Sequence, residues 1–85
     1  MKLTVLYFAR LREALGRDRD EFTLPAEVQT VAQLRAWLIA QGAPWAGAFA
    51  EVKRVRAAVD QAMATDATPL FEGAEVAFFP PVTGG

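Results

Sequence analysis

At 85 residues and 9.3 kDa the chain has room for one hydrophobic core and none for a second, catalytic lobe. It has no Cys, His, Ser or Asn, which removes disulfides, thiolate and imidazole metal ligands, the commonest general base and the commonest nucleophiles. A net charge of −1 excludes a chain-wide attraction to nucleic acid or to an anionic membrane.

The absence of Cys fits a reducing cytoplasm. The opening MKLTVLYFAR pairs a lysine with an apolar run, as a signal peptide does, but Arg10, Arg12 and Glu13 follow at once and no cleavage region is present. No stretch has the length of a membrane-spanning helix. Of the 45 apolar residues 17 are alanine, so the large apolar side chains are fewer than the 53% figure suggests. They collect in the first eight residues, in the middle of the chain and at its end.

Residues 2–8 are rich in β-formers, with Leu3, Val5 and Tyr7 on one face and Thr4, Leu6 and Phe8 on the other. Both faces are apolar toward the end of the run, which suits a central strand or one whose second face meets a partner. A short helix over 10–15 follows, with Leu11 and Leu15 one turn apart and Gly16 as its stop. The charged RDRDE, 17–21, reads as a turn, and 21–24 as a brief strand ended by Pro25.

The sequence Thr30-Val31-Ala32-Gln33 matches a capping box and opens the clearest helix. Val31, Leu34 and Leu38 fall on one face of it, and Gly42 and Pro44 close it. Residues 45–50 suggest another helical turn. A strand over 54–59, a tight turn at Asp60-Gln61 and a short strand over 62–64 make a hairpin. On this reading KRVR, 53–56, is the solvated side of a strand rather than a phosphate-binding patch. A loop over 69–73 leads to a last strand over 74–79.

The order strand, helix, strand, long helix, hairpin, strand predicts an α+β domain: a mixed sheet with its helices packed on one face and the two most apolar strands, first and last, together at its centre. This is the arrangement of a β-grasp, ubiquitin-like fold, over residues 1–79. Residues 80–85 form an extended tail ending in Gly-Gly.

Pro80 and Pro81 have no amide protons to give a ladder, so the chain must leave the sheet in a stiff, polyproline-like segment. From Pro81 to Gly85 the extended reach is roughly 13 Å, enough to thread a channel in another protein. Gly84 and Gly85 lack Cβ atoms, so backbone approaches backbone closely and the terminal carbonyl is open to attack. By average glycine usage a Gly-Gly pair at a chosen position arises only about once in two hundred times. A terminal carboxylate is ionised at neutral pH and is a poor electrophile, so covalent chemistry there requires activation. An acyl-adenylate would serve, and a sulfur nucleophile could then leave a thiocarboxylate. With no Cys in the chain, that sulfur must come from outside. This chemistry alone leaves several tail-modified proteins equally possible.

The terminal VAFFPPVTGG, 76–85, with Gly73 and Glu75 before it, closely resembles the small, sulfur-carrying subunit of molybdopterin synthase. The opening VLYFARLREALG and the hairpin AAVDQ, 57–61, resemble the same family, so the likeness spans nearly the whole chain. Asp60 departs from the Asn common in relatives, and either residue suits a hairpin turn.

The resemblance implies a β-grasp fold with no cofactor and no metal on the chain. It implies that Gly85 is adenylated by an ATP-using, E1-like activating enzyme and thiocarboxylated by a persulfide-bearing sulfurtransferase system. The tail, Pro80, Pro81, Val82, Thr83 and Gly84, would enter the large synthase subunit in a cytoplasmic heterotetramer. Gly85 would donate sulfur there to cyclic pyranopterin monophosphate, forming the molybdopterin dithiolene, with the catalytic site on the large subunit. The docking residues carried over are Phe8, Met63 and Phe79. Neither nucleic acid nor membrane is an expected partner. The alternatives are a related carrier for thiazole or another thio-cofactor, a protein modifier whose tail is joined to a lysine, and a plain interaction domain.

Overall fold

The computed structural model describes residues 1–81. Five strands and three helices alternate as β1 (Lys2–Tyr7), α1 (Ala9–Leu15), β2 (Arg19–Thr23), α2 (Val31–Ala40), α3 (Trp45–Glu51), β3 (Arg56–Val59), β4 (Ala62–Ala64) and β5 (Glu75–Phe79). They form one mixed sheet in the order β2-β1-β5-β3-β4. β1 and β5 are parallel, in the register Thr4↔Glu75 to Tyr7↔Phe78, and every other pairing is antiparallel. The α+β, ubiquitin-like arrangement expected from the sequence is the one observed.

Alternation along the strands divides the sheet into two faces. Leu3, Val5 and Tyr7 of β1, Ala57 and Val59 of β3, and Val76 and Phe78 of β5 join one buried cluster with Leu11 and Leu15 of α1, Val31, Leu34 and Leu38 of α2, and Ala48 of α3. All three helices therefore cover the same face. Each large side chain fully buried here, such as Phe78 or Leu34, contributes about 1.5–3 kcal/mol of transfer free energy. The Phe49 ring of α3 stands edge-on to Phe78 with centroids 5.5 Å apart, which seats α3 over the centre of the sheet.

The helix ends follow the local chemistry. Thr30 caps α2: its hydroxyl accepts the Gln33 amide proton at 3.2 Å, and the Gln33 side chain accepts from the Thr30 amide at 3.1 Å. Gly16 ends α1 at φ 72°, a left-handed conformation that costs glycine little, and donates its amide to the Arg12 carbonyl. The hairpin turn has Asp60 at φ 47° and Gln61 at φ 70°, both left-handed as a two-residue turn between twisted strands requires. Asp60 also ties that turn to β5, its carboxylate accepting the Glu75 amide proton and its own amide donating to the Glu75 carbonyl, each at 2.8 Å.

Two expectations are corrected. β2 begins at Arg19, two residues earlier than the charge run suggested, because Asp20 is held at the helix side of the sheet by specific partners. The Tyr7 hydroxyl donates to Asp20 at 2.9 Å, Arg17 pairs with Asp20 at 3.2 Å, and the Trp45 indole donates to the Tyr7 hydroxyl at 3.1 Å. The second correction concerns KRVR. Val52 ends α3 and Arg54 turns at φ 58°, so only Arg56 of that run lies in a strand.

Burial is the main reason the Tyr7 phenol is pushed well above its ordinary value of about 10, and the bond to Asp20 adds to the rise. Donation from Trp45 and the charge of Arg17 oppose it. Tyr7 therefore stays protonated and remains a donor. Because the folded state holds this proton more tightly than the unfolded chain, stability is lost as pH rises past about 10. Tyr7→Phe is expected to lower stability by about 1–2 kcal/mol at neutral pH, because the half-buried Asp20 carboxylate and Trp45 indole lose the Tyr7 hydroxyl. The same variant should show a shallower loss of stability above pH 10 in denaturant titrations, since Tyr7 is the only tyrosine.

Candidate docking face and tail exit

The face turned away from the helices is assembled by register. Leu6 of β1 pairs with Ala77 of β5, Ala77 with Ala58 of β3, and Ala58 with Met63 of β4. These four side chains form one row across the open face, with Arg19 of β2 beside Leu6 at its edge. One rung toward the tail, Phe79 pairs with Arg56. The next step of the β1–β5 register brings Phe8 beside Phe79, and the Phe8 amide donates to the Phe78 carbonyl at 3.1 Å. Two rungs away from Phe79 lies a polar row of Glu21, Thr4 and Glu75, and beyond it Lys2 pairs with Thr23.

Phe8 is 44% exposed and Met63 60%, so neither is core. Phe79 and Leu6 are half-buried. The centre of the row is small, Ala77 and Ala58, so the larger side chains stand proud on both sides of a shallow floor. Phe8 reaches this face because the chain reverses directly after it. Ala9 adopts φ 53°, which turns α1 back over the opposite face and leaves Phe8 as the last side chain of the strand pattern.

Hydrogen-bonded pairing of β5 stops at Phe79, where the two prolines have no amide proton to continue it. Pro80 and Pro81 line a cavity of about 390 Å³ with Arg10, Glu51, Val52 and Lys53. Arg10 and Glu51 approach to 3.8 Å across it, both largely exposed, so this pair adds little to stability. Val82, Thr83, Gly84 and Gly85 lie outside the described residues.

Among the described residues there is no group of three or more His, Cys, Asp and Glu placed to hold a metal ion. None of the described charged side chains is buried. No described helix is long and apolar enough to cross a membrane. The notable features among the described residues are thus a surface and an exit.

Of the residues singled out by sequence, the fold brings Phe8 and Phe79 side by side, and Met63 to the same face at the far end of the neighbouring row. Ala58, Ala77 and Arg56 complete the face and were missed. Alternation from Phe79 points to Ala77, and a two-residue turn at Asp60-Gln61 makes Ala58 the partner of Met63, so the signal for both was present.

A family model described as the ThiS family matches residues 5–85. The chain belongs to the ThiS family. It is 46% identical over 83 residues to the molybdopterin synthase sulfur carrier subunit of Escherichia coli K12, covering 98% of this chain and 99% of that one, as its sequence resemblance led one to expect. Among solved structures, the small archaeal modifier protein SAMP1 of Haloferax volcanii superimposes with a TM-score of 0.77 at 22% identity, with 100% of each chain covered. The complex of subunits 1 and 2 of the molybdopterin-converting factor from Helicobacter pylori 26695 contains a chain that matches at a TM-score of 0.66 and 22% identity, again over 100% of each. At those identities the two structural matches establish the shared ubiquitin-like fold.

Because Phe8 is the N-cap residue of α1 with no side-chain bond to the helix, an aspartate there would supply one to the first-turn amides. Phe8→Asp is expected to leave the thermal midpoint unchanged or raise it, by no more than about 1 kcal/mol in stability. A loss of several kcal/mol on melting would instead make Phe8 part of the core.

Proposed function

We propose that this chain is the sulfur-carrying small subunit of a molybdopterin synthase, with Gly85 as the group that bears the sulfur. The observation that carries the reading is the 46% identity, along almost the full length of both chains, to a sulfur carrier subunit of that enzyme. Support comes from a tail that leaves the sheet beside an exposed apolar face. A second support is that the Helicobacter pylori structure with this fold is a complex with a second subunit.

In this reading the chain is the reagent and the large subunit holds the reaction site. At an ATP-using, E1-like enzyme the Gly85 carboxylate attacks the α-phosphorus of ATP and expels pyrophosphate, and the resulting acyl-adenylate has an electrophilic carbonyl with AMP as its leaving group. The terminal sulfur of a persulfide in a sulfurtransferase system displaces AMP to give an acyl disulfide, and a second thiol of that system cleaves its S–S bond, becoming a disulfide and releasing the thiocarboxylate. The prolines stiffen the base of the tail, which lowers the entropy lost when it enters a channel. Val82, Thr83 and Gly84 carry Gly85 through the channel to cyclic pyranopterin monophosphate. Each tail delivers one sulfur, so the dithiolene requires two. No cofactor is required on this chain, and ATP is consumed by the activating partner. Phe8, Met63 and Phe79 dock on the large subunit, and the adjacent apolar rows supply the area that holds the complex together.

The test is the intact mass of the protein taken from its native cells, with the C-terminal peptide fragmented to locate any change. One oxygen replaced by one sulfur at Gly85 is the expected result. A Gly85 joined to lysines of many proteins would assign the chain to protein modification instead. Deleting Gly85 is expected to abolish sulfur delivery while leaving affinity for the large subunit within about threefold, a change of under 1 kcal/mol. A loss of affinity as large as that caused by Phe79→Ala would contradict this division between tail and face.

A further inference from the structure

Arg56 stands on the open face next to Phe79, at the end of the sheet from which the tail departs. It is exposed. Four other arginines have a carboxylate within ion-pair distance: Arg10 with Glu51, Arg17 with Asp20, Arg19 with Glu21, and Arg35 with Asp66. Arg56 has none among the described residues. Arg12 and Arg54 share that property, but Arg12 belongs to α1 in the helical layer and Arg54 lines a cavity with Ile39 and Phe49 on the helix side.

The open face has its own carboxylates, yet they are remote from Arg56. Glu75 lies four residues before Phe79 on β5, roughly 13 Å at the rise of a strand. That exceeds the screening length of about 8 Å at physiological ionic strength. Arg56 therefore presents a guanidinium with an aromatic neighbour, no counterion among the described residues and a position beside the departing tail. A partner that covers Phe79 must cover Arg56 as well. Removing water from an uncompensated guanidinium is costly, so a partner that binds tightly must present a group to satisfy it.

We propose that Arg56 is a partner-binding residue that takes a carboxylate of the large subunit, beside the place that receives Phe79. The inference rests on the docking reading given above. A planar guanidinium binds a carboxylate through two parallel hydrogen bonds, and covering the pair with the Phe79 ring strengthens both. A protein carboxylate is favoured over the phosphates of a nucleic acid because Glu75 lies on the same face and Arg19, also on this face, is already paired with Glu21. The pair also fixes direction: with Arg56 at the tail end and the carboxylates two rungs away, only one orientation of the face matches a partner of opposite pattern.

The experiment measures binding of this chain to the large subunit of the same organism, at low and high salt, for Arg56→Glu, Arg56→Lys, Arg54→Glu and Phe79→Ala. Arg56→Glu should weaken binding about tenfold or more, chiefly at low salt and partly through slower association. Arg56→Lys keeps the charge but loses the fork, and should weaken binding severalfold; its milder change keeps the test informative if glutamate disturbs the strand. Arg54→Glu makes the same charge change off the face and should stay within about twofold. If Arg56→Glu behaves as Arg54→Glu does while Phe79→Ala weakens binding, the role of Arg56 is refuted and the docking face stands. If Phe79→Ala is also without effect, the docking face is wrong and Arg56 falls with it.

Discussion

The parallel pairing of β1 with β5 is the constraint on which the rest of the molecule depends. Two strands from opposite ends of the sequence lie side by side at the middle of the sheet, and each adds alternate residues to both faces. Their inward residues, from Leu3 to Tyr7 and from Val76 to Phe78, supply the floor on which all three helices pack. Their outward residues bring Leu6 and Phe8 against Ala77 and Phe79. The same pairing makes the chain leave the sheet within one residue of this apolar patch, so the start of the tail and the open face are coupled by construction.

The helix side shows how a small domain handles a polar requirement without burying a charge. Asp20 turns toward the helices, yet it is satisfied by Tyr7 and Arg17, and the Tyr7 hydroxyl in turn receives the Trp45 indole proton. Arg17 also lies over the Trp45 ring, 5.3 Å from its centroid, a cation–π contact that closes the network. One short chain of polar contacts thereby ties β1, β2 and α3 together. None of the described polar side-chain atoms that are buried lacks a partner. Among the described residues the open face carries the exposed Arg19–Glu21 pair, and its apolar rows lie uncovered.

Fold and chemistry are separable in a protein of this kind. Ubiquitin-like neighbours share the sheet and helices at identities too low to carry a function, whereas the family is set by sequence similarity along the whole length. In the proposed cycle the domain contributes recognition and the terminus contributes reactivity. Rigid packing around Phe78 serves the first, and absent side chains at Gly84 and Gly85 serve the second.

Much of this was legible in the chain because it depends on local rules. The capping box at Thr30, the stop at Gly16, the turn at Asp60-Gln61 and the inward set Leu3, Val5 and Tyr7 each follow from a few neighbouring residues, and each is found. So does the exit after Phe79, because proline cannot donate to a ladder wherever it occurs. The start of β2 was not legible, since an aspartate in a charge run reads as a turn until Tyr7 and Arg17 are brought to it from elsewhere. Nor was the place of Arg56, whose neighbour on the face is 23 positions away in sequence. Residue identity determined which segments could be strands, helices and a reactive tail. Only the tertiary structure decided which outward-facing side chains share a surface, because strand order and register depend on packing between segments that local sequence does not encode.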